Sequence, residues 1–292
     1  MTNEITNVNS APMIAVESDP DSTLVGLWLH GRAATTVLNY RLELQRFRAF
    51  VGKPLAQVTL AELQSFADSL EAAGLQPPTR RRALASVKSL YTFGHRLGAL
   101  PFDTARALKL PAVRDSLSDR ILDEEQVQRL IAATKNERDA IMLTLLYATG
   151  IRVSELSGIR WAHVSEQNGK AFLSIFGKGA KTRVVVCPAR LTRRLMALRN
   201  DAADDAPVFR SRKKRAISPS QVLHIVKQTA KRARVERNVV VHSFRHAHAS
   251  HSLDRNCPLH VLQRGLGHSS LHSTSRYVHA RPSDSPSNYL PI

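Results

Sequence analysis

Residues 240–278 read VVHSFRHAHASHSLDRNCPLHVLQRGLGHSSLHSTSRYV and carry the densest group of chemically active side chains in the chain. His242 and Arg245 are three residues apart at the start of a predicted helix, so both project from one face. A second predicted helix ends at His268, and Tyr277 follows nine residues later. Guanidinium groups match phosphate oxygens, imidazoles donate or transfer protons, and a phenol can form a phosphodiester. The stretch therefore indicates phosphate chemistry with a tyrosine nucleophile; a basic helix pair around a core tyrosine is the alternative.

The charge balance points to a polyanionic partner. The 292 residues contain 42 Lys and Arg against 24 Asp and Glu, which gives a formal net charge of +18. Residues 193–237 hold 13 basic and 4 acidic side chains, so half of the whole excess lies in this segment. Nucleic acid is the first candidate for such a partner, and an anionic membrane surface is the second.

Cysteine usage and the absence of targeting signals bear on location. Cys187 and Cys257 form neither a CxxC motif nor a Cys/His ligand pattern, which is typical of a reducing compartment. The first residues lack a basic region followed by an apolar one, and no apolar run approaches the roughly 18 residues of a membrane span. We expect a cytoplasmic, nucleoid-associated protein with no membrane partner.

The apolar periodicity divides the chain into two predicted domains. Residues 1–21 are polar without a period and are predicted to be a disordered tail. Residues 22–110 show four helical patterns. Residues 111–118 include Pro111 and indicate a linker, with a surface loop inside one domain as the alternative. Residues 119–292 form the second predicted domain. In the first two helices, the side chains predicted to face inward are Leu24, Leu27, Trp28, Val37, Leu38, Leu42, Phe47 and Phe50.

The second predicted domain mixes helices with a small sheet. A strongly apolar helix over 137–150 is followed by Arg152 at the start of another helix. The segments AFLSIF and RVVVC are predicted strands, and GKGAK at 177–181 joins them in a tight turn with Lys178 at its rim. A basic loop at 208–215 then precedes a capped helix. The predicted fold class is mainly α with a small β-sheet.

Five segments follow one another along the chain: ATGIRVSEL, FGKGAKTR, HSFRH, LGHSS and STSRYVH. Together they resemble the motifs of the tyrosine recombinases, also called phage-integrase-type or Xer-like site-specific recombinases. The likeness extends over residues 22–277. Each segment alone is a weak signal, but the ordered set of Arg, Lys, His-x-x-Arg, His and Tyr is specific. The resemblance implies an amino-terminal four-helix, SAM-like core-binding domain and a carboxy-terminal mixed α/β catalytic domain that together clamp DNA.

The resemblance also implies a role for each motif residue. Tyr277 would be the nucleophile that attacks a scissile phosphate and leaves a 3′-phosphotyrosine. Arg152 and Arg245 would hold the non-bridging oxygens, where negative charge grows in the transition state. Glu155 would orient a neighbouring active-site residue without itself contacting the phosphate. A surface ion pair between Glu155 and Arg152, three residues apart, is compatible with that role.

The proton transfers are assigned by the same resemblance. Lys178 would protonate the leaving 5′-oxygen as general acid, with Lys181 and Arg183 as competitors for that role. His242 and His268 would assist proton transfer from the tyrosine and donate hydrogen bonds to the phosphate. An exposed hairpin lysine and structural histidines are the respective alternatives.

Further basic residues are predicted to bind DNA: Arg80, Arg81, Lys88, Lys181, Arg183, Arg212, Lys213, Lys214 and Arg215. The expected partner is double-stranded DNA with a roughly palindromic site, bound as a homo-tetramer on two sites. An accessory DNA-bending protein or a partner recombinase is a further expectation. No cofactor and no metal are expected. His246, His248 and His251 are close together on one helix, as metal ligands can be, but no carboxylate accompanies them.

Three features depart from the family pattern. Val241 stands where many relatives carry proline, which predicts a looser start of that helix. Gly265 lies where a larger residue is usual. The chain after Tyr277 is short and contains three prolines, so a long docking helix is not expected there. We expect an extended segment, 288–292, to insert into a neighbouring protomer instead.

Other functions share parts of this pattern. A relaxase similar to type IB topoisomerases would use the same chemistry as a monomer without synapsis. A non-catalytic DNA-binding relative would keep the basic surface and form no covalent adduct, but it would have no need of Tyr277. A nuclease or metal hydrolase is more distant, since the chain shows no carboxylate cluster.

Overall fold

The computed structural model describes residues 19–113, 117–177, 182–268 and 270–279, without the side chains of residues 272, 278 and 279. The chain divides into two compact units, Met1–Arg114 and Asp115–Ile292. Across the described ranges the structure is mainly α with one three-stranded sheet, so the predicted fold class is confirmed. Among these same residues, no helix is long and apolar enough to cross a bilayer.

The described part of the first unit contains four α-helices, as the periodicity predicts: α1 Pro20–Leu29, α2 Ala34–Val51, α3 Leu60–Ala72 and α4 Pro77–Arg96. Helix α3 begins with a capping box, in which the Thr59 hydroxyl accepts a hydrogen bond from the Glu62 amide and the Glu62 carboxylate accepts one from the Thr59 amide. Helix α4 begins with proline, whose missing N–H costs nothing at that position. Phe47, Phe66 and Tyr91 meet edge to face in the core between these helices.

Two predictions for the first unit need correction. Helix α1 begins at Pro20, before the predicted end of the tail at residue 21, because Asp19 caps it and the buried Asp21 carboxylate accepts the Leu55 amide. Four of the apolar side chains predicted to face inward are exposed instead: Leu27, Leu38, Leu42 and Phe50. The buried stripe of α2 runs through Leu44 and Phe47, and the 100° step per residue turns the other side chains away from it.

The second unit contains eight described α-helices around the sheet: α5 Glu124–Ala132, α6 Glu137–Thr149, α7 Val153–Gly158, α8 Ala189–Ala197, α9 Pro219–Arg232, α10 Val241–Asp254, α11 Leu259–Leu266 and α12 Leu271–His279. Helix α6 is the apolar helix predicted from the sequence, and most of its side chains are buried. Helix α10 begins at Val241 despite the missing proline. The Val240 amide donates to the Ser243 hydroxyl, which serves as a cap.

The sheet consists of β1 Val164–Gln167, β2 Lys170–Phe176 and β3 Thr182–Cys187, antiparallel in that order. The sequence predicts β2 and β3 but not β1, because only Val164 of that strand is buried and no alternation is visible. The register pairs Phe176 with Thr182, which leaves residues 177–181 as the connection. Lys178 and Lys181 lie outside the described residues.

Candidate active site

Gly150 sets the geometry at one end of the site. It ends α6 with a φ of +60°, a left-handed conformation that glycine adopts without strain. A Cβ at this position would lie 2.6 Å from Cδ2 of His248 and 2.8 Å from Cδ2 of Leu266. Glycine is therefore required both by the turn and by the close approach of two other helices. The turn places Arg152 immediately before α7.

Glu155 is the centre of an ion-pair network that holds Arg152. Its carboxylate accepts from the Arg152 amide at 2.7 Å and from the Arg152 guanidinium at 3.0 Å. Arg183 on β3 binds the same carboxylate with two nitrogens, at 2.9 and 2.8 Å. The Arg183 Nε also donates to the Gly265 carbonyl, so this arginine joins the sheet to α7 and α11. The prediction that Arg183 contacts DNA or acts as a general acid has no support here, because its guanidinium is engaged within the protein.

Burial and ion pairing act in opposite directions on the Glu155 carboxylate. Burial alone would raise its pKa, but the hydrogen bonds from Arg183 and Arg152 lower the pKa from 4.5 to about 2. Because the folded-state pKa is depressed, the carboxylate contributes stability above pH 4.5 that is lost as the pH falls toward 2. Its side chain is only 4% exposed, so solvent screens this contribution little.

Replacing Glu155 by glutamine is expected to lower the free energy of unfolding by roughly 3 kcal/mol at pH 7, because Arg183, whose side chain is only 12% exposed, is left without a counter-charge. The difference from the wild type should fall by about half at pH 3, where the wild-type carboxylate has lost much of its advantage. Urea unfolding at the two pH values measures this. Glu137→Gln is the matched control: its pairing with Arg194 is on the surface, so a loss below about 1 kcal/mol is expected. Equal losses in the two variants would contradict the network.

Arg245 lies on α10 and is 2% exposed. Its guanidinium donates to the carbonyls of Gly150 and Leu266, the latter at 2.8 Å, so it ties the end of α6 to the end of α11. Burial, with Arg152 nearby, lowers the pKa of Arg245 to about 10, which still leaves it charged at neutral pH. An arginine has five N–H donors, so others remain for a phosphate.

Two predicted histidines lie within electrostatic range of both arginines. Burial lowers the pKa of His242, and the charges of Arg245 and Arg152 lower it further. Burial and the same two charges lower the pKa of His268 to about 4. The Nδ1 of His268 is 2.8 Å from the Thr274 hydroxyl on α12, which orients the ring. Thr274 was not anticipated from the sequence, since a threonine six residues after a histidine is an ordinary spacing.

Tyr277 is 4% exposed, on α12. Its ring packs in a cluster with Leu253, Leu262 and Leu266, whereas its hydroxyl has a polar partner. The hydroxyl is 2.8 Å from Nδ1 of His246 on α10. Burial raises the pKa of Tyr277, and the charge of Arg245 opposes that rise.

The histidine at the phenol is neither of the two that the sequence motifs predict. His242 and His268 were expected to assist the tyrosine, whereas the described hydrogen bond goes to His246. The available signal was helical spacing: His246 is four residues after His242, so both lie on one face of α10. His248 and His251, on the same helix, are bonded to the carbonyl and the hydroxyl of Tyr147.

The basic residues predicted to bind DNA fall into two groups. Those of the first unit are engaged within it. Arg80 pairs with Glu71, Arg81 donates to the Pro111 carbonyl, and Lys88 donates to two backbone carbonyls. Each side chain makes a structural contact in its own unit, and the assignment of these three residues to DNA stays a prediction.

The second group is available to a ligand. Arg212, Lys213, Lys214 and Arg215 are all exposed at the tip of a short hairpin. The hairpin is closed by a bridge between Arg210 and Ala216 and by the Ser211 amide, which donates to the Arg215 carbonyl at 2.7 Å. Four adjacent positive charges on a defined turn form a surface suited to phosphate groups.

Two family descriptions match this chain. The phage integrase, N-terminal SAM-like domain matches residues 26–98, and the phage integrase family matches residues 120–284. The second match covers more than half of the chain. The chain therefore belongs to the phage integrase family, the tyrosine recombinases that its motifs resemble.

Particular relatives and solved structures extend the comparison. Tyrosine recombinase XerD of Neisseria meningitidis serogroup A is 32% identical over 273 residues, which cover 89% of this chain and 92% of that protein. Tyrosine recombinase XerC of Xanthomonas campestris pv. campestris is 32% identical over 231 residues, covering 77% and 71%. Among solved structures, XerH bound to its difH substrate has a TM-score of 0.69 at 19% identity, over 88% of this chain and 80% of that one. A lambda integrase tetramer bound to a Holliday junction has a TM-score of 0.75 at 14% identity, over 90% and 77%. At these identities the structural matches establish a shared fold.

Proposed function

We propose that this protein is a site-specific DNA recombinase that cuts and rejoins strands through a 3′-phosphotyrosine at Tyr277. The observation that carries the proposal is the grouping of unlike functional groups around α10. Arg152 and Arg245 both act on the pKa of His242 and His268, and Arg245 also acts on the pKa of Tyr277. Arg152, two imidazoles and a phenol all lie within electrostatic range of Arg245, a set that suits phosphoryl transfer and that DNA binding alone does not need.

The proposed reaction follows from the chemistry of these groups. The phenol oxygen attacks the scissile phosphorus, and the bond to the 5′-oxygen breaks. Arg152 and Arg245 stabilise the charge on the non-bridging oxygens, while His242 and His268 donate hydrogen bonds to them. Lys178 supplies the proton for the leaving 5′-oxygen. The covalent phosphotyrosine retains the phosphodiester energy, so a 5′-hydroxyl from another strand reverses the step without ATP.

The proposed assembly is a homo-tetramer on two DNA sites, with two protomers on each roughly palindromic site. Two solved complexes of proteins with this fold support the proposed assembly. One is XerH bound to palindromic difH DNA, and the other is a lambda integrase tetramer bound to a Holliday junction. An accessory DNA-bending protein or a partner recombinase remains part of the proposal. The insertion of segment 288–292 into a neighbouring protomer concerns residues outside the described ranges.

A nicked suicide substrate tests the chemistry. Cleavage close to the nick in the same strand releases a short oligonucleotide with the 5′-hydroxyl, which diffuses away, so the covalent intermediate accumulates. The substrate is taken from the host locus, and a protein–DNA adduct that survives SDS is the expected product. Recombinant joints between two sites should form with intact DNA. Supercoil relaxation without recombinant joints would favour the topoisomerase-like function, and DNA binding without an adduct would favour the non-catalytic one.

The basic hairpin is proposed to bind the DNA backbone. It borders a groove of about 1310 Å³ that lies between the hairpin, the start of α6 and α9. Residues Arg212, Lys213 and Arg215 line the groove from the hairpin, and Lys135 and Arg232 line it from other elements. A groove with cations on several sides fits a polyanionic strand better than an apolar ligand.

Replacing Arg212 and Arg215 together by glutamine is expected to weaken binding to specific and non-specific DNA alike. The slope of log K against log salt is negative, and each lost phosphate contact should reduce its magnitude by about 0.9. The double variant should therefore reduce the magnitude by about 2. The matched control, Arg212→Lys with Arg215→Lys, keeps both charges and should keep the slope. Binding titrations at several salt concentrations measure both variants. An unchanged slope in the glutamine variant would place the hairpin outside the DNA interface.

A further inference from the structure

His246 contacts the nucleophile directly. Its Nδ1 lies 2.8 Å from the Tyr277 hydroxyl, and the two ring centroids are 5.7 Å apart. On its other side, the ring meets the His242 ring edge to face at 4.8 Å. The rings of His242 and Tyr277 therefore hold the imidazole in place, and its Nδ1 is within hydrogen-bonding distance of the phenol oxygen.

The surroundings of His246 keep it neutral. Burial lowers its pKa to about 4, and neighbouring positive charges act in the same direction. The titratable and charged groups that face it come from four parts of the chain: His242 and Arg245 on α10, Arg276 and Tyr277 on α12, Asp119 and Arg120 before α5, and Arg237 before α10. Of these, only Asp119 is acidic. An uncharged imidazole with one free lone pair is the form that accepts a proton.

A cavity of about 410 Å³ lies beside the ring. His246 lines it together with His242 and Ser243 of the same helix, and Arg120 and Arg237 line it from neighbouring segments. The volume is large enough for several water molecules. The imidazole therefore stands between a buried phenol and a space that can hold water.

We infer that His246 is a catalytic residue, the base that takes the proton of Tyr277 as the phenol attacks phosphorus. The inference rests on the proposed function, which makes Tyr277 the nucleophile. The O–H bond of the phenol breaks, its electron pair forms the new O–P bond, and the proton moves to Nδ1 of His246. The other ring nitrogen releases its proton to water in the cavity. The bond from phosphorus to the 5′-oxygen breaks, and that oxygen takes a proton from Lys178. Rejoining runs the same transfers backwards.

This assignment gives His242 and His246 of α10 separate tasks. The charges of Arg245 and Arg152, the residues proposed to hold the phosphate, act on the pKa of His242. The role of His242 is therefore to donate a hydrogen bond to the phosphate oxygens. His246 has the hydrogen bond to the nucleophile. General-base assistance of this kind contributes about 10²- to 10⁴-fold to a reaction rate.

The test is the pH dependence of single-turnover cleavage of the suicide substrate between pH 6 and 9. The wild-type rate should be flat, because the imidazole is neutral throughout this range. His246→Asn keeps a hydrogen-bond acceptor near the phenol but cannot take its proton. Its rate should be about 10²-fold lower at pH 7 and should rise tenfold per pH unit, as phenolate forms only with increasing hydroxide. A His246→Asn rate equal to the wild type, or a wild-type rate that itself rises tenfold per pH unit, would overturn the inference.

Two further measurements separate a base from a structural contact. Free imidazole should restore cleavage to His246→Gly, because the adjacent cavity gives it access to the phenol. A substrate with sulfur at the bridging 5′ position, whose thiolate leaves without a proton, should rescue Lys178→Ala but not His246→Asn. Rescue of His246→Asn by the sulfur, or no imidazole effect on a His246→Gly protein that still binds DNA, would count against the inference. Absence of any adduct with the wild type would instead contradict the proposed function itself.

Discussion

A Tyr277→Phe variant is expected to bind its DNA site as the wild type does and to form no covalent adduct. The substitution removes one oxygen atom, the one that hydrogen-bonds to His246. The ring remains to fill the cluster with Leu253, Leu262 and Leu266, so the fold should persist. The free energy of unfolding should fall by only about 1 kcal/mol, for the lost hydrogen bond. Adducts on the suicide substrate, measured by denaturing gel electrophoresis, and binding affinity measured by gel shift give the two readouts.

The chain provides a matched control for this variant. Tyr147 also bonds a histidine of α10, with its hydroxyl 3.0 Å from Nδ1 of His251. Tyr147→Phe removes an equivalent oxygen from a similar environment, but it should leave the adduct intact. An adduct formed by Tyr277→Phe, or lost equally in both variants, would contradict the assignment of Tyr277 as nucleophile.

An Arg245→Lys variant is expected to lose both cleavage and stability. A lysine keeps the charge but cannot reproduce the planar set of donors on a phosphate, and losing such a donor in a water-excluded site costs about 10³-fold in rate. The carbonyls of Gly150 and Leu266 each accept from the Arg245 guanidinium, and at least one would be left buried without a donor. The free energy of unfolding should fall by about 2 kcal/mol. Single-turnover cleavage and urea unfolding measure the two losses.

Arg152→Lys separates the two effects. The Arg152 side chain is 39% exposed, and its backbone amide keeps the bond to Glu155 whatever the side chain. We expect a comparable loss of cleavage with a change in unfolding free energy below about 1 kcal/mol. Full cleavage by either lysine variant would contradict a bidentate role for that arginine at the phosphate.

Much of the architecture could be predicted from local pattern. The capping box of Thr59 and Glu62, the apolar run of α6 and the strand pair around residues 177–181 are read from neighbours in sequence, and all appear in the structure. These features depend on contacts three or four residues apart or on a short turn. The exposed Leu38 and Leu42 show the limit, since periodicity identifies an apolar stripe but not which stripe meets the next helix.

The order of Arg, Lys, His-x-x-Arg, His and Tyr was sufficient, by itself, to identify the family and the chemistry that the motif residues could perform. Which groups touch was decided only by the tertiary structure. Arg183 joins Glu155 across 28 residues, and Tyr277 meets His246 across 31. Lys88, which is predicted to bind DNA, donates to two backbone carbonyls of its own unit. Spacing along a helix determines which side chains share a face. Partners from different helices and strands are chosen by how those elements pack, and that depends on the whole core at once.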